Sequence, residues 1–537
     1  MDKPNTATVW ATGILAIALF GGIVLWQGTF FIERHEGDTL HLIDIIERLR
    51  LDQAIHRDFM TPIGILAFMP MVWARDLGLG LGQSMFAAQV FVAALLLPAA
   101  VWVGVSRMSK GGALAFVTVI VVFCTALVNG EDQTTPSISM HYNRWAWAVT
   151  FIAIALVVLP AAHRHNPTLD GVLIGTLMAI LAMTKMTYFV ALAPGIGVGM
   201  LLQRQRTAIM WAIPAGLAVA LAITFWQGPD IWSGYVSDLI AVASSESRQR
   251  PGKTFGAVIG APAGIGCSLA VLMAVILLRQ GRRYQQGLIL LLLIPSFFYI
   301  TFQNYGNDPQ WIILLPFLLW PLRPQEPLRN GFGWDIRQAI IFLTAISFAL
   351  GATSFLNMAY SPFRHLKISA KDTTEMIPGY PDLRLPIQRA YSADAGVILL
   401  EDGAPYARYA DVNEMPAPVS INGETLTHCE MKIGLKAYFE AMADDLENKG
   451  YGGSRVFIAD IFGSIWLYGS FPVLQGSAPW YYGGLPGWDD ATHLAVPKCA
   501  TSARSRRSIL EQIEENGFAL REVWRGDTLI LFERRKE

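Results

Sequence analysis

The chain has 537 residues, a formal net charge of −1, 53% hydrophobic residues and only 15% charged residues. An average globular domain carries about 25% charged residues. The 83 charged residues are also unevenly spread, with 40 in residues 1–356 and 43 in residues 357–537. This pattern excludes a soluble enzyme for the first two-thirds, a disordered chain and a basic protein that binds nucleic acid. It predicts a polytopic α-helical membrane domain (1–356) followed by a soluble α/β domain (357–537).

Eleven apolar stretches are candidates for transmembrane helices, each of which needs about 20 mostly apolar residues. They lie at about 8–28, 84–105, 112–129, 146–162, 168–184, 187–202, 207–226, 255–278, 287–302, 310–321 and 338–356. The tenth is short, and only Thr184-Lys185-Met186 separates the fifth from the sixth. The first is too long for a cleavable signal peptide, and no small-residue cleavage site follows it.

Basic residues in short connections set the orientation of such a protein, because they stay on the cytoplasmic side. With a cytoplasmic N-terminus, the inner connections carry 12 Lys and Arg in about 50 residues, and the outer ones about 10 in roughly 114. We therefore expect the first outer loop (28–83) and the whole C-terminal domain on the outer side.

The C-terminal domain has the sequence pattern of a small α/β unit. We predict strands at 396–400, 455–459 and 493–496, helices at 435–448 and 502–516, and a hairpin joining 518–524 to 528–532. Cys429 and Cys499 both lie in this exported domain, where a disulfide is permitted. Cys124 and Cys267 lie within predicted spans, and we expect them to be inert packing residues.

The first outer loop carries the most informative sequence pattern. Three acidic residues, Glu33, Glu36 and Asp38, follow the first span closely. Apolar residues then recur at helical spacing, at Leu42, Ile45, Ile46 and Leu49. Because polar residues occupy the other side, the pattern predicts an amphipathic helix from about residue 39 that lies along the membrane surface.

Asp38 stands just before this predicted helix, and two roles suit it. Asp is among the best N-cap residues, and as a cap its side chain would bond to backbone amides of the first turn. Alternatively, the carboxylate faces a cavity at the membrane surface and takes a proton from an acceptor hydroxyl. The two roles conflict, because a carboxylate bonded to amides is a weaker base.

A second charged cluster, His56-Arg57-Asp58-Phe59, precedes Thr61-Pro62-Ile63-Gly64 at the start of a short apolar run. Arg57 and Asp58 suit the binding of an anionic head group, and the alternative is a solvated turn.

Further polar residues lie in the other outer segments. His141 and Arg144 precede the fourth span, Lys185 stands alone between two apolar runs, and Arg250 lies in the loop after the seventh span. A lone Lys at that depth is costly unless it reaches the interface or has a partner. Lys185, Arg144 and Arg250 together would suit a phosphate group. Each of them alone also fits an interface anchor.

This arrangement resembles the GT-C superfamily of polytopic glycosyltransferases, in particular the bacterial group of the aminoarabinose transferase and the protein O-mannosyltransferases. In that group the first outer loop carries an acidic pair, a helix, a Gly and a Tyr/His-x-Asp-Phe…Pro-Pro/Gly stretch. Glu36-Gly37-Asp38 falls at the acidic pair, and His56-Arg57-Asp58-Phe59 with Pro62-Ile63-Gly64 falls at the second element. The helix-ending Gly is replaced by Leu51-Asp52-Gln53. The resemblance covers the topology of residues 1–356, and the C-terminal domain matches only by position.

The resemblance implies a glycosyltransferase in the bacterial inner membrane, with its C-terminal domain in the periplasm. It would move a sugar from a polyprenyl-phosphate donor to a cell-envelope acceptor. Asp38 would be the catalytic base, with Glu36 as its rival, and Lys185 would be the best phosphate contact. Arg57 and Asp58 would support the acceptor or the head group.

A lipid phosphate is already a good leaving group, so this chemistry needs a base and a cationic clamp but no nucleotide site. The sequence has no convincing metal-ligand spacing, and we expect no cofactor and no essential divalent metal.

The alternative function is a multi-pass transporter or flippase of a lipid-linked or small-molecule substrate. Transporters often show paired half-repeats and helices broken at the membrane midplane. The sequence shows no clear pair of repeats, and its charged residues gather at one face. A third interpretation is a non-catalytic envelope scaffold. That function does not explain the acidic residues of the first outer loop.

Overall fold

A computed structural model describes residues 2–131, 134–245, 253–392, 406–412, 419–426, 429–431 and 434–535. The α-helices in these ranges are α1 (Thr6–Ile17), α2 (Ile23–Gln27), α3 (Glu36–Arg50), α4 (Met69–Asp76), α5 (Leu81–Arg107), α6 (Lys110–Thr125), α7 (His141–Val158), α8 (Pro167–Thr184), α9 (Met186–Leu202), α10 (Arg206–Gln227), α11 (Asp230–Ser244), α12 (Phe255–Gly260), α13 (Pro262–Gln280), α14 (Tyr284–Gln303), α15 (Leu315–Leu322), α16 (Ile336–His365), α17 (Ile387–Tyr391), α18 (Leu435–Asn448) and α19 (Ala503–Glu515). The strands are β1 (Phe30–Phe31), β2 (Thr373–Glu375), β3 (Leu383–Pro386), β4 (Val419–Ile421), β5 (Glu424–Leu426), β6 (Val456–Ile458), β7 (His493–Pro497), β8 (Leu520–Arg525) and β9 (Leu529–Arg534).

The chain divides into two compact units, each built from three stretches of sequence. Unit 1 consists of Met1–Arg34, Ile63–Gly228 and Arg250–Ile368. Unit 2 consists of His35–Pro62, Pro229–Gln249 and Ser369–Glu537. These units differ from the predicted partition at residue 356, because α16 runs unbroken past that position and α3 belongs to the same unit as the C-terminal part.

Unit 1 is helical and apolar. Seven of its helical stretches are long and apolar enough to cross a membrane: Thr6–Gln27, Leu81–Arg107, Pro167–Thr184, Arg206–Gln227, Pro262–Gln280, Tyr284–Gln303 and Ile336–His365. Three shorter apolar helices are Lys110–Thr125, Met186–Leu202 and Gln310–Leu322. These helices fit the predicted polytopic membrane protein, and the number of eleven spans stays a prediction.

Small residues let two of these helices approach closely. Gly171 and Gly175 of α8 lie against the backbone of α10 at Ala208 and Ala212, where an added Cβ would overlap the facing carbonyl oxygens. Glycine at such spacing is typical of helix contacts within membranes, because no side chain keeps the backbones apart.

Unit 2 contains a four-stranded sheet in the order β6-β7-β9-β8. β6 runs parallel to β7, and the other two pairings are antiparallel. The apolar side of α19 (Ile509, Leu510 and Ile513) joins sheet residues Val496 and Ile530 in one buried core. A polar contact ties the β8–β9 turn to α18, where Thr528 donates to Asp445 through its backbone amide and its hydroxyl.

Most predicted elements of the C-terminal domain are present. The two predicted helices, the strands at 455–459 and 493–496 and the hairpin correspond to α18, α19, β6, β7 and the β8–β9 pair. Cys429 and Cys499 form the permitted disulfide, whereas Cys124 and Cys267 are free and buried. The strand predicted at 396–400 lies outside the described residues.

Candidate functional site

The acidic motif lies in the first turn of α3. His35 is the N-cap residue, in the left-handed conformation with φ of 64°, and α3 begins at Glu36. Asp38 is the third residue of the helix and is half-buried, so the prediction of Asp38 as N-cap is wrong. The helix therefore includes Glu36 and Gly37 and starts before the predicted position at about residue 39. Both carboxylates then lie at the positive end of the helix dipole, where negative charge is favoured.

Glu36 is bound in a two-bond ion pair. Nε and Nη2 of Arg389, on α17, donate to Oε1 and Oε2 of Glu36, and the second bond measures 2.8 Å. These bonds raise the pKa of the Arg389 guanidinium. Both carboxylate oxygens of Glu36 are therefore occupied by hydrogen bonds from one guanidinium, in the bidentate geometry typical of Arg–carboxylate pairs.

Aromatic side chains pack beside the same turn. A Cβ at Gly37 would lie only 2.8 Å from Cζ of Phe462, so glycine permits this close approach. The Phe462 and Trp480 rings meet edge to face with centroids 4.9 Å apart, and the His41 ring lies 5.6 Å from Trp480. The first turn of α3 thus combines two carboxylates with a cluster of aromatic rings.

The polar side of α3 is buried in unit 2. Asp44 pairs with Nε of Arg48 at 2.5 Å and accepts from the Ser464 hydroxyl at 2.7 Å and the Trp466 indole at 3.0 Å. Arg48 also donates to the Leu474 carbonyl at 3.0 Å. The predicted helix is present, and its polar side has protein partners within unit 2. Its position along the membrane surface stays a prediction.

His56 forms a dyad with Asp238 of α11. Its Nδ1 lies 2.8 Å from Oδ2 of Asp238, which also accepts from the Thr61 amide at 3.0 Å. The imidazole stacks on Tyr235 with centroids 4.3 Å apart. The side chain is fully buried, and within the part of the chain that the structure describes its Nε2 has no hydrogen-bond partner.

Arg57 and Asp58 lie in the same turn and pair with each other. The Arg57 guanidinium is about half exposed and donates to Asp58, whose Oδ2 also accepts from the Ala54 amide at 2.7 Å. Burial raises the pKa of Asp58, but the bonds from Arg57 and Ala54 outweigh it and hold that pKa below its usual value. The turn keeps an exposed cation, as the predicted head-group role requires, and that role stays a prediction.

In unit 1, Lys185 lies at the break between α8 and α9. Its backbone is extended, with φ of −152° and ψ of 96°, and its side chain is half-buried. The ammonium nitrogen lies 4.8 Å from the centroid of the Tyr142 ring. Lys185 thus lies between the carboxyl end of α8 and the amino end of α9, whose first backbone amides receive no bond from the Lys185 side chain.

The other predicted phosphate contacts have different surroundings. Arg144 is fully buried and donates to the backbone carbonyls of Ala126 at 2.6 Å and Ser139 at 3.3 Å. His141 is also buried, with Nε2 at 2.9 Å from the Ala67 carbonyl. These backbone bonds favour a structural role for both residues. Arg250 lies outside the described residues.

Sequence reasoning missed two partners, Arg389 and Asp238. Arg389 is 353 residues from Glu36, and Asp238 is 182 residues from His56, so no local pattern indicated either pair. Among the residues described here, no group of three or more His, Cys, Asp or Glu side chains is arranged to hold a metal ion. Comparison of the chain with protein-family models, curated proteins and solved structures found no match.

Proposed function

We propose that the protein is a GT-C-like glycosyltransferase of the bacterial inner membrane. It moves one sugar from a polyprenyl-phosphate donor to a cell-envelope acceptor at the periplasmic face. The main support is the first turn of α3, where two carboxylates two residues apart lie beside a cluster of aromatic rings. Glu36 is held by Arg389, and Asp38 is the second carboxylate of that turn.

We assign Asp38 as the base that takes the proton from the acceptor hydroxyl. Displacement at a sugar carbon needs such a base, and the resemblance to the GT-C superfamily places Asp38 in this role. Arg389 occupies both carboxylate oxygens of Glu36, the rival carboxylate. The Glu36–Arg389 pair instead anchors the start of α3 and so positions Asp38. Trp480, half-buried beside Phe462, gives the same turn apolar ring surface, which suits the C–H face of a sugar.

We assign Lys185 as the contact for the donor phosphate. Negative charge grows on the leaving phosphate as the sugar departs, so a positive group there stabilises the transition state. The ammonium group supplies that charge, and the start of α9 adds backbone N–H donors that suit a phosphate. The break at Lys185 also separates complete helices of 18 and 17 residues, unlike the midplane breaks that are typical of transporters.

The test is release of polyprenyl phosphate by the purified protein in nanodiscs. A panel of polyprenyl-phosphate sugars serves as donor, and envelope extract supplies the acceptor. Removal of a general base typically costs 10²–10⁴-fold, so Asp38→Asn should lower the rate by about that factor. The matched control is Asp52→Asn, an exposed carboxylate in the same segment, which should keep the wild-type rate.

Near-normal turnover by Asp38→Asn would contradict its assignment as base. No release from any donor, by folded protein that binds the lipid, would contradict the transferase proposal itself. That second outcome would favour a flippase and would make lipid transport the next measurement.

A further inference from the structure

Unit 1 carries an apolar groove that the proposed reaction does not use. The groove has a volume of about 600 Å³ and lies between α6, α15 and α16. Its walls include Leu114, Val119, Phe317, Phe348 and Phe355. Ser109, Thr118 and Thr344 add hydroxyl groups to this lining. The volume falls within the range of small-molecule sites, and the lining suits a hydrocarbon chain.

The length of the groove matches one leaflet of a bilayer. Its wall on α16 extends from Thr344 to Phe355, which is about 16 Å at 1.5 Å per residue. The wall on α6 extends from Gly111 to Val119, about 12 Å. The hydrocarbon core of a bilayer is about 30 Å thick, so one leaflet measures about 15 Å. One phospholipid acyl chain therefore has the length of this groove.

Positive charge gathers at the end of the groove where α15 terminates. Trp320 lines the groove there, and the guanidinium carbon of Arg323 lies 4.0 Å from the centroid of its ring. Burial, and then the nearby charge of Arg337, lower the pKa of Arg323. Lys110, between two groove-lining residues, adds a third cation and is exposed.

Among the described residues, the hydrogen-bond acceptors of these two arginines are backbone carbonyls. Arg323 donates to the Trp320 carbonyl, and Nη1 of Arg337 donates to the Gln325 carbonyl at 3.3 Å. Neither guanidinium contacts a carboxylate in the ranges that the structure describes. Two like charges held close together favour an anion from outside the chain, since an anion relieves their repulsion.

We propose that this groove binds one acyl chain of an anionic phospholipid, whose phosphate is held by Arg323 and Arg337. Trp320 then lies at the level of the glycerol backbone, where its ring suits the interface between hydrocarbon and water. Basic pockets between transmembrane helices are known to select anionic lipids. The proposal concerns a lipid site that is independent of sugar transfer, so it does not depend on the proposed function.

Native mass spectrometry of the detergent-solubilised protein tests this proposal. The protein is titrated with phosphatidylglycerol and, separately, with phosphatidylcholine of the same acyl chains. We expect one molecule of phosphatidylglycerol to bind with at least about tenfold preference. Each surface Arg near a lipid phosphate contributes roughly 1 kcal/mol, so Arg323→Gln with Arg337→Gln should weaken binding about 30-fold. The control pair is Arg204→Gln with Arg206→Gln, two exposed arginines at the connection between α9 and α10.

A second variant tests the acyl chain independently of the charges. Ala352 lines the groove, and Ala352→Phe should fill it and lower the binding of both lipids about tenfold or more. Ala218→Phe, at an exposed position on α10, is the matched control and should leave binding unchanged. The conservative pair Arg323→Lys with Arg337→Lys keeps both charges and should keep the preference for phosphatidylglycerol.

Several results would overturn the proposal. Equal affinity for the two lipids would show that the groove holds any lipid chain without selection for charge. Unchanged binding in the Gln pair, or an equal loss in the control pair, would remove Arg323 and Arg337 from the site. Unchanged binding in Ala352→Phe would place the bound lipid elsewhere on the protein.

Discussion

Replacing Asp44 with Ala should destabilise unit 2 strongly. Asp44 is fully buried, and its partner Arg48 is only 2% exposed, so the substitution leaves a buried guanidinium without its counter-ion. Arg48 would keep Gln53 and the Leu474 carbonyl as acceptors, but neither carries a negative charge. Breaking a buried ion pair from one side costs about 3–5 kcal/mol. The hydrogen bonds from Ser464 and Trp466 are lost as well.

This cost should be visible as a lower melting temperature. For a folded unit of 150–250 residues, 1 kcal/mol shifts Tm by about 2–4 °C, so we expect Asp44→Ala to lower Tm by about 6–20 °C. The assay is thermal unfolding of the detergent-solubilised full chain, followed by intrinsic tryptophan fluorescence. Asp372→Ala, which removes an exposed carboxylate of unit 2, is the control and should shift Tm by less than about 2 °C.

A double-mutant cycle identifies the cause of the shift. Combining Asp44→Leu with Arg48→Met removes both charges, and the pair should be less destabilised than the two single variants predict by addition. A shift for Asp44→Ala no larger than that of Asp372→Ala would refute the burial of this ion pair. Strict additivity in the cycle would refute the direct interaction between Asp44 and Arg48.

Three further predictions concern the phosphate contact, the disulfide and the response to pH. Lys185→Met should lower kcat/KM for the lipid-linked donor by about 10–100-fold, because a charged hydrogen bond contributes about 1.5–3 kcal/mol, and Lys185→Arg should keep most of the activity. Replacing Cys429 and Cys499 with Ser opens a loop with a sequence separation of 70 and should cost about 4 kcal/mol, measured as a lower Tm than in the oxidised protein. Burial lowers the pKa of His493 in the folded chain, so its neutral form stabilises the fold above its unfolded pKa of about 6.5. That stability is lost as pH falls from about 6.5 through the folded pKa, and His493→Gln should flatten Tm over pH 5–7, whereas an unchanged slope would assign the effect to other groups.

Elements with a local pattern could be predicted from the sequence. The charged amphipathic helix before Gly517 and the hairpin around Gly526-Asp527 are present at their predicted positions. The break between α8 and α9 also occurs at Lys185, as the short polar interruption indicated. Each of these features depends on residues within one or two turns of one another, which is the range over which hydrophobic periodicity and turn residues act.

The surroundings of α3 could not be predicted in this way. The periodicity predicted its apolar stripe correctly, but it gave no information on which side chains would bond to its polar side. Ser464, which bonds to Asp44, lies 420 residues further along the chain. Arg389 is likewise distant in sequence from Glu36, and Asp238 from His56, so no local pattern links the members of either pair.

The sequence by itself determined the helical, apolar character of unit 1, the elements of the C-terminal sheet and the position of the acidic motif after the first apolar helix. Only the tertiary structure decided which polar groups are partners: Glu36 pairs with Arg389, Asp44 pairs with Arg48, and His56 hydrogen-bonds to Asp238 on one side of its ring. The physical reason is that helix and strand periodicity is a local property of the chain. The protonation and reactivity of a carboxylate or imidazole depend instead on burial and on partners that folding brings from distant segments.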